Sequence, residues 1–122
     1  ACRVTLAELH AEATSEKIAF GRHLDGRVTS VVGTHTHVQT SDEAILPKGT
    51  AYITDLGMTG PKDSVLGREG NSIVKRFMDG LPAKAEVATD KVALEGVLLH
   101  VDEKSGKARK ITRMREFLEG AT

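Results

Sequence analysis

The sequence lacks tryptophan and has few other aromatic residues, with one tyrosine and three phenylalanines among its 122 residues. Valine, isoleucine, leucine and alanine must therefore fill most of the interior, which favours a valine-rich sheet covered by helices over an aromatic-rich β-sandwich. A chain of this length can bury roughly two thirds of the surface that its unfolded state exposes. We expect one compact α/β unit.

The single cysteine, the balanced charge and the lack of long apolar runs restrict the expected cellular compartment and binding partners. Cys2 is the single cysteine, so an internal disulfide is excluded and a reducing cytoplasm is expected. Lysine plus arginine equals aspartate plus glutamate at 17 each, so the net charge gives no reason to expect nucleic-acid or membrane binding. No apolar run approaches the roughly 20 residues that span a bilayer, and the first residues lack a signal-peptide pattern. We expect a cytoplasmic protein without a membrane partner.

Apolar periodicity predicts an α/β first half, with strands over 4–9, 28–32 and 50–55 and a helix over 15–25. The hydroxyls of Thr14 and Ser15 are expected to cap this helix, and Gly26 to end it. The second strand is an uncharged run before Gly33, which is typical of a strand buried on both faces.

The second half changes from helical to alternating periodicity, with a helix over 71–79 and strands over 84–87, 92–101 and 108–114. Asn71 or Ser72 is expected to cap the helix and Gly80 to end it. A turn over 104–107 joins the last two strands as a hairpin.

Three histidines stand at the ends of predicted strands, where α/β proteins commonly bind ligands. His35 and His37 follow a predicted strand, and in extended chain they would face the same side about 6.6 Å apart. His10 follows the preceding strand, and a strand–helix–strand unit would bring it beside them. A lone His-x-His is often polar surface, but the matching position of His10 favours a metal site. His23 and His100 lack such spacing and are expected to be surface residues.

Two other features allow competing interpretations. The glycine-rich loop 55–60 could approach a phosphate or simply pack, and nothing in the spacing of Asp42 or Asp55 marks them as ligands. A run of cations suggests RNA binding, but without interleaved aromatic residues a charged edge strand is favoured, at Lys107, Arg109, Lys110, Arg113 and Arg115.

Four segments together closely resemble the YmdB-type bacterial metallophosphoesterases of the calcineurin-like superfamily. These segments are HAEATSEK at 10–17, LDGRV at 24–28, VGTHTHV at 32–38 and YITDLGMTGP at 52–61. The resemblance extends from about residue 4 to about residue 115.

The resemblance implies half of a calcineurin-like four-layer α/β sandwich with a C-terminal antiparallel β-hairpin, residues 1–122 being the C-terminal half of one metallophosphoesterase domain. It implies two divalent metal ions, iron or manganese, and hydrolysis of 2′,3′- and 3′,5′-cyclic nucleotides by a metal-activated hydroxide. His10 and His35 would hold one ion and His37 the other.

The family also uses an N-terminal Asp, a bridging Glu, an Asn ligand and an Asn-His pair with the catalytic His, and this sequence lacks those motifs. Three neutral imidazoles offset no metal charge, so we expect the 122 residues alone to bind metal weakly and to be inactive. The missing N-terminal half is then a partner. Apolar surface left exposed without it also predicts association with another copy, as a homo-oligomer.

Two alternatives to a cyclic-nucleotide phosphodiesterase stay open. One is a phosphatase of the capsule-synthesis type in the same superfamily, and the other is a non-catalytic metal-binding or interaction module. The unbroken segments 10–17 and 54–61 favour the phosphodiesterase.

Overall fold

The computed structural model describes residues 2–118, and its mixed α/β architecture with two sheets confirms the predicted fold class. The expected domain range also includes positions 1 and 119–122, which lie outside the described residues. In chain order the elements are β1 (Leu6–His10), α1 (Thr14–Leu24), β2 (Ser30–Thr34), β3 (Ala44–Ile45), β4 (Ala51–Ile53), β5 (Gly60–Pro61), α2 (Gly70–Asp79), β6 (Val92–Val101) and β7 (Ala108–Phe117).

The first sheet has the strand order β1-β2-β4-β3. Strands β1, β2 and β4 are parallel, whereas β3 is antiparallel to β4. Leu6 lies opposite Ser30 and His10 opposite Thr34, so α1 connects two neighbouring parallel strands. The predicted strand–helix–strand unit is thereby confirmed, and the carboxyl ends of β1 and β2 lie at one edge of the sheet.

The second sheet has the order β5-β6-β7 and contains the predicted C-terminal hairpin. The hairpin turn is closed by the Asp102 N–H, which donates to the Lys107 carbonyl at 2.9 Å. The exposed cations of β7 lie on the edge strand of this sheet, as predicted. Among them, Arg109 pairs with Asp102 at 2.6 Å and Arg113 with Glu43 at 2.8 Å.

The chain divides into two compact units, the first formed by residues 2–58 and 95–114 and the second by 59–94 and 115–118. The core of the first unit is aliphatic, as the composition requires, with Ala51, Ile53, Ala108 and Ile111 fully buried or nearly so. Tyr52, the single tyrosine, is also buried in this unit, with 5% of its surface exposed.

In the second unit, α2 carries an apolar stripe that is largely exposed. None of its residues is buried, and Phe77 and Met78 are 82% and 81% exposed.

Within residues 2–118, neither helix has the length and apolar composition needed to cross a membrane.

The helix caps differ from the prediction. Thr14 and Ser15 already belong to α1, whose N-cap is Ala13 and lacks a side-chain hydrogen bond. Helix α2 begins one residue before its predicted start, and the Glu69 carboxylate caps it by accepting from the N–H groups of Asn71 and Ser72. A carboxylate reaches these amides from just outside the helix, whereas residues with helical backbone cannot take that position.

The predicted strand over 84–87 was wrong, because this segment forms only an isolated bridge between Val87 and Arg68. The two-residue strands β3 and β5 were not predicted, since two residues are too few to establish a period. Gly33 belongs to β2, which begins and ends two residues later than predicted.

Gly33 lies where β2 is in close contact with its surroundings. A Cβ atom at this position would overlap the carbonyl oxygen of Thr54 and lie 2.9 Å from Cδ of Lys17. A backbone carbonyl on one side and a buried side chain on the other leave no space for a methyl group.

We therefore expect Gly33→Ala to lower the free energy of unfolding by about 1–3 kcal/mol, the usual cost of overpacking. Gly96→Ala is the matched control, because its Cβ would meet only Cγ of Met114 at 4.0 Å. Urea denaturation followed by the fluorescence of Tyr52 measures both variants. Equal stability of the two variants would contradict the close packing at Gly33.

Candidate functional site

Two of the three predicted metal ligands meet at the carboxyl edge of the first sheet. His10 is the last residue of β1, and His35 directly follows β2. Nε2 of His10 lies 3.1 Å from Nδ1 of His35, and the two rings are nearly perpendicular at 84° with centroids 4.9 Å apart. Both side chains are exposed, so a ligand can reach the pair from solvent.

The distance between the two nitrogens suits both a hydrogen bond and shared coordination. Without a cation, one imidazole donates its N–H to the lone pair of the other. Two nitrogens that each lie about 2.1 Å from one ion at a right angle are about 3.0 Å apart. The separation of the His10 and His35 nitrogens is therefore compatible with two ligands of a single divalent cation.

His37 is not part of this pair. Within residues 2–118, no three or more His, Cys, Asp or Glu side chains converge in an arrangement that could hold a metal ion. The extended backbone expected over 35–37 does not form, because His35 and His37 have left-handed φ angles of 117° and 64°. The rule that residues i and i+2 face the same side of a strand therefore does not apply here.

The loop that carries His35 is held by a buried ion pair. Nζ of Lys17 donates to Oδ2 of Asp55 at 2.9 Å, and the side chains are 1% and 0% exposed. Lys17 comes from α1, and Asp55 follows β4 shortly after its last residue. Burial of either charge alone would be costly, so each residue requires the other.

Asp55 also fixes the loop backbone directly. Its Oδ2 accepts from the Thr36 N–H and its Oδ1 from the Gly57 N–H, both at 2.9 Å. Burial by itself would raise the pKa of Asp55, but the hydrogen bonds from Thr36, Lys17 and Gly57 outweigh it and hold the pKa below its ordinary value. Because both carboxylate oxygens accept hydrogen bonds, Asp55 anchors the loop that carries His35 and His37 and is not a candidate metal ligand.

Further along, the same loop has a second anchor. The N–H of Thr40 donates to the carbonyl of Asp55 at 3.1 Å, and its hydroxyl donates to Asp42 at 2.6 Å. Burial would raise the pKa of Asp42, but hydrogen bonds from Thr40 and Thr54 lower it overall.

Gln39 holds the same loop through its side chain. Its Nε2 donates to the carbonyl of Gly96 at 2.9 Å. The segment 36–40 is therefore tied down from both sides.

The other histidines lie on the surface, as predicted. His23 is exposed on α1, with its Nε2 3.2 Å from the Arg27 guanidinium, and His100 is exposed near the end of β6.

Sequence reasoning missed the residues that support the histidines. Lys17 and Asp55 are separated by 38 positions, and no spacing rule connects a helical lysine with an aspartate after a strand. Thr34, which contacts His10, and Glu8, which accepts a hydrogen bond from Thr34, were likewise not singled out. The only available signal was that Lys17 closes the segment 10–17 and Asp55 lies in the segment 52–61.

Comparison with known proteins places this arrangement in a family. The sequence model of the YmdB-like proteins matches residues 1–114. The chain belongs to the YmdB-like family. The resemblance carried by the four segments is thereby confirmed.

The relatives of this YmdB-like chain are longer than it is. It is 57% identical over 107 residues to the 2′,3′-cyclic-nucleotide 2′-phosphodiesterase of Bacillus subtilis (strain 168), a match that covers 88% of this chain and 40% of that protein. A hypothetical protein from Thermus thermophilus superposes with a TM-score of 0.86 and 42% identity, covering 94% of this chain and 45% of the other. A phosphatase from Mycoplasma pneumoniae superposes with a TM-score of 0.86 and 41% identity, covering 96% of this chain and 42% of the other.

The ion pair under the histidine loop generates a stability prediction. Asp55→Asn leaves Lys17 buried without a countercharge, which should lower the free energy of unfolding by about 3–5 kcal/mol. Glu43→Gln removes a carboxylate from the partly exposed pair with Arg113 and should cost about 1 kcal/mol. Urea denaturation followed by Tyr52 fluorescence compares them, and similar losses would contradict the anchoring role of Asp55.

The lowered pKa of Asp55 predicts how the stability of the protein depends on pH. Because the folded pKa of Asp55 lies below its unfolded value of about 3.9, its contribution is present above about pH 4 and is lost as the pH falls through the folded pKa. Asp55→Asn should therefore lose less stability than the wild type on acidification below pH 4. An equal loss of stability in the variant and the wild type below pH 4 would contradict this prediction.

Proposed function

We propose that this chain supplies part of the active site of a metal-dependent phosphodiesterase that hydrolyses 2′,3′- and 3′,5′-cyclic nucleotides. The observation that carries the proposal is the pair of imidazole nitrogens 3.1 Å apart at the carboxyl ends of two parallel strands. Ligands in α/β proteins commonly bind at such strand ends. The name of the Bacillus subtilis relative supports the substrate class.

In this proposal His10 and His35 bind one divalent ion and His37 binds a second. The implied ions are iron or manganese. When bound, such ions supply Lewis acidity that lowers the pKa of a water and offsets negative charge on the phosphoryl oxygens. The chain itself positions the ligands, since Asp55 holds the Thr36 amide and thereby the backbone on both sides of it.

Charge balance supports the view that the 122 residues are only part of the site. The imidazoles bind as neutral ligands, and the charge of Asp55 is already compensated by Lys17. A pair of divalent ions therefore gains no anionic ligand from these residues, and its binding should be weak. We propose that the remaining ligands and the catalytic acid come from the rest of the domain, and that the chain alone is inactive.

The proposed partners are a cyclic nucleotide, the N-terminal half of the same domain and a second copy of the protein. The apolar stripe of α2 supports association, because Val74, Phe77 and Met78 are exposed at helical spacing. The single cysteine supports a cytoplasmic setting.

The first test is metal binding by the 122-residue chain. We expect calorimetric titration with Mn²⁺ to show weak binding that His35→Ala abolishes and His100→Ala leaves unchanged, because only His35 belongs to the nitrogen pair. Elemental mass spectrometry after gel filtration should find little retained metal. Two retained ions per chain together with hydrolysis of 2′,3′-cyclic AMP would contradict a partial site, and no binding at millimolar Mn²⁺ would contradict a metal role.

The second test places the chain in a full-length context. Residues 4–114 replace the corresponding part of the Bacillus subtilis phosphodiesterase, and hydrolysis of 2′,3′-cyclic AMP and of a phosphomonoester is measured. We expect cyclic-nucleotide hydrolysis that falls by about 100-fold or more in His35→Ala, the scale of losing a group that stabilises transition-state charge. Preference for the phosphomonoester would favour the phosphatase alternative, and a folded but inactive chimera would favour the non-catalytic module.

A further inference from the structure

A hydrogen-bond chain leads from the surface carboxylate of Glu8 to the His10 ring. The hydroxyl of Thr34 donates to Oε1 of Glu8 at 2.8 Å, and Nδ1 of His10 lies 3.0 Å from the same hydroxyl oxygen. The next contact along the line is Nε2 of His10 with Nδ1 of His35 at 3.1 Å. The four side chains thus form one continuous series from a carboxylate to the candidate metal ligands.

The sheet places these residues together by its register. Glu8 and His10 are two positions apart on β1 and therefore face the same side of the strand. Thr34 lies opposite His10 on the neighbouring parallel strand β2. All three side chains thus depend on regular strand geometry, which holds them more precisely than a loop would.

The chemistry of the three groups determines where the protons lie. An ionised carboxylate can only accept, so the single hydroxyl proton of Thr34 is directed to Glu8. The hydroxyl oxygen then has only lone pairs left for His10, which must donate from Nδ1. In the neutral imidazole the Nε2 atom of His10 is then unprotonated and presents its lone pair toward His35.

We propose that Glu8 and Thr34 are positioning residues that hold His10 in its Nδ1–H tautomer, with the Nε2 lone pair available to a divalent cation. The use of that lone pair rests on the proposed function, whereas the tautomer itself does not. Metal-binding histidines are commonly oriented by a partner of the second ring nitrogen, and loss of that partner costs about 10–100-fold in metal affinity. In this chain a threonine hydroxyl lies between the carboxylate and the imidazole.

The test uses the metal-free 122-residue chain, labelled with ¹⁵N, at a pH where the imidazoles are neutral. Long-range ¹H–¹⁵N correlations identify which nitrogen of His10 carries the proton. We expect Nδ1–H in the wild type and a shift toward Nε2–H in Thr34→Val, which offers no acceptor. Glu8→Ala should produce the same shift, because the released hydroxyl can turn and donate to Nδ1. Thr34→Ser should restore the wild-type tautomer.

Calorimetric titration with Mn²⁺ provides the second measurement. We expect about 10-fold weaker binding in Thr34→Val and Glu8→Ala, and wild-type affinity in Thr34→Ser. Glu16→Ala and Thr112→Val are the matched controls, since both residues are exposed and lie outside this hydrogen-bond chain. Circular dichroism of each variant verifies that it is folded.

The outcomes separate this inference from the proposed function. An unchanged His10 tautomer in both Thr34→Val and Glu8→Ala overturns the inference, even if metal affinity falls. A shifted tautomer with unchanged Mn²⁺ affinity also overturns it, because the partner would then have no effect on the ligand. A wild type that holds the Nδ1–H tautomer but binds no Mn²⁺ supports the positioning of the ring and overturns the metal role in the proposed function.

Discussion

The ion pair between Lys17 and Asp55 is the constraint on which the rest of the candidate site depends. It joins α1 to the segment after β4 and lies beneath the loop that carries His35. Since a buried carboxylate with three nitrogen donors has little freedom to move, the loop backbone is fixed where Thr36 donates to it. The exposed histidines thus stand on a rigid base, and they need no burial of their own to keep their positions.

Much of the fold could be predicted because strong local patterns coincide with its central elements. The uncharged run over 28–32 indicates a strand buried on both faces, and β2 forms two residues further along. The alternation over 92–101 is long enough to define a period, and β6 has the predicted bounds. The segment 84–87 alternates as well but pairs only at Val87. Alternation indicates what a strand would look like, whereas pairing depends on a neighbour that local sequence does not specify.

The candidate site was predictable only where topology alone decides proximity. A helix between two parallel strands brings their ends together, which is why His10 and His35 meet. The turn at His35 and His37 has no local signal, because left-handed φ is usually associated with glycine. Lys17 resembles any surface lysine of a helix, and only the folded structure shows that its charge is buried.

The close packing at Gly33 has an evolutionary consequence. The space that a side chain would occupy there is filled by the Thr54 carbonyl and the Lys17 stem, and the Lys17 charge in turn requires Asp55. Because the atom nearest to position 33 belongs to the backbone, a shorter side chain at position 17 would not make room for a larger residue there. A neutral residue at 17 would remove the countercharge of the buried acid at 55. Positions 17 and 55 should therefore change together across related sequences, whereas position 33 should stay glycine whichever pair is present.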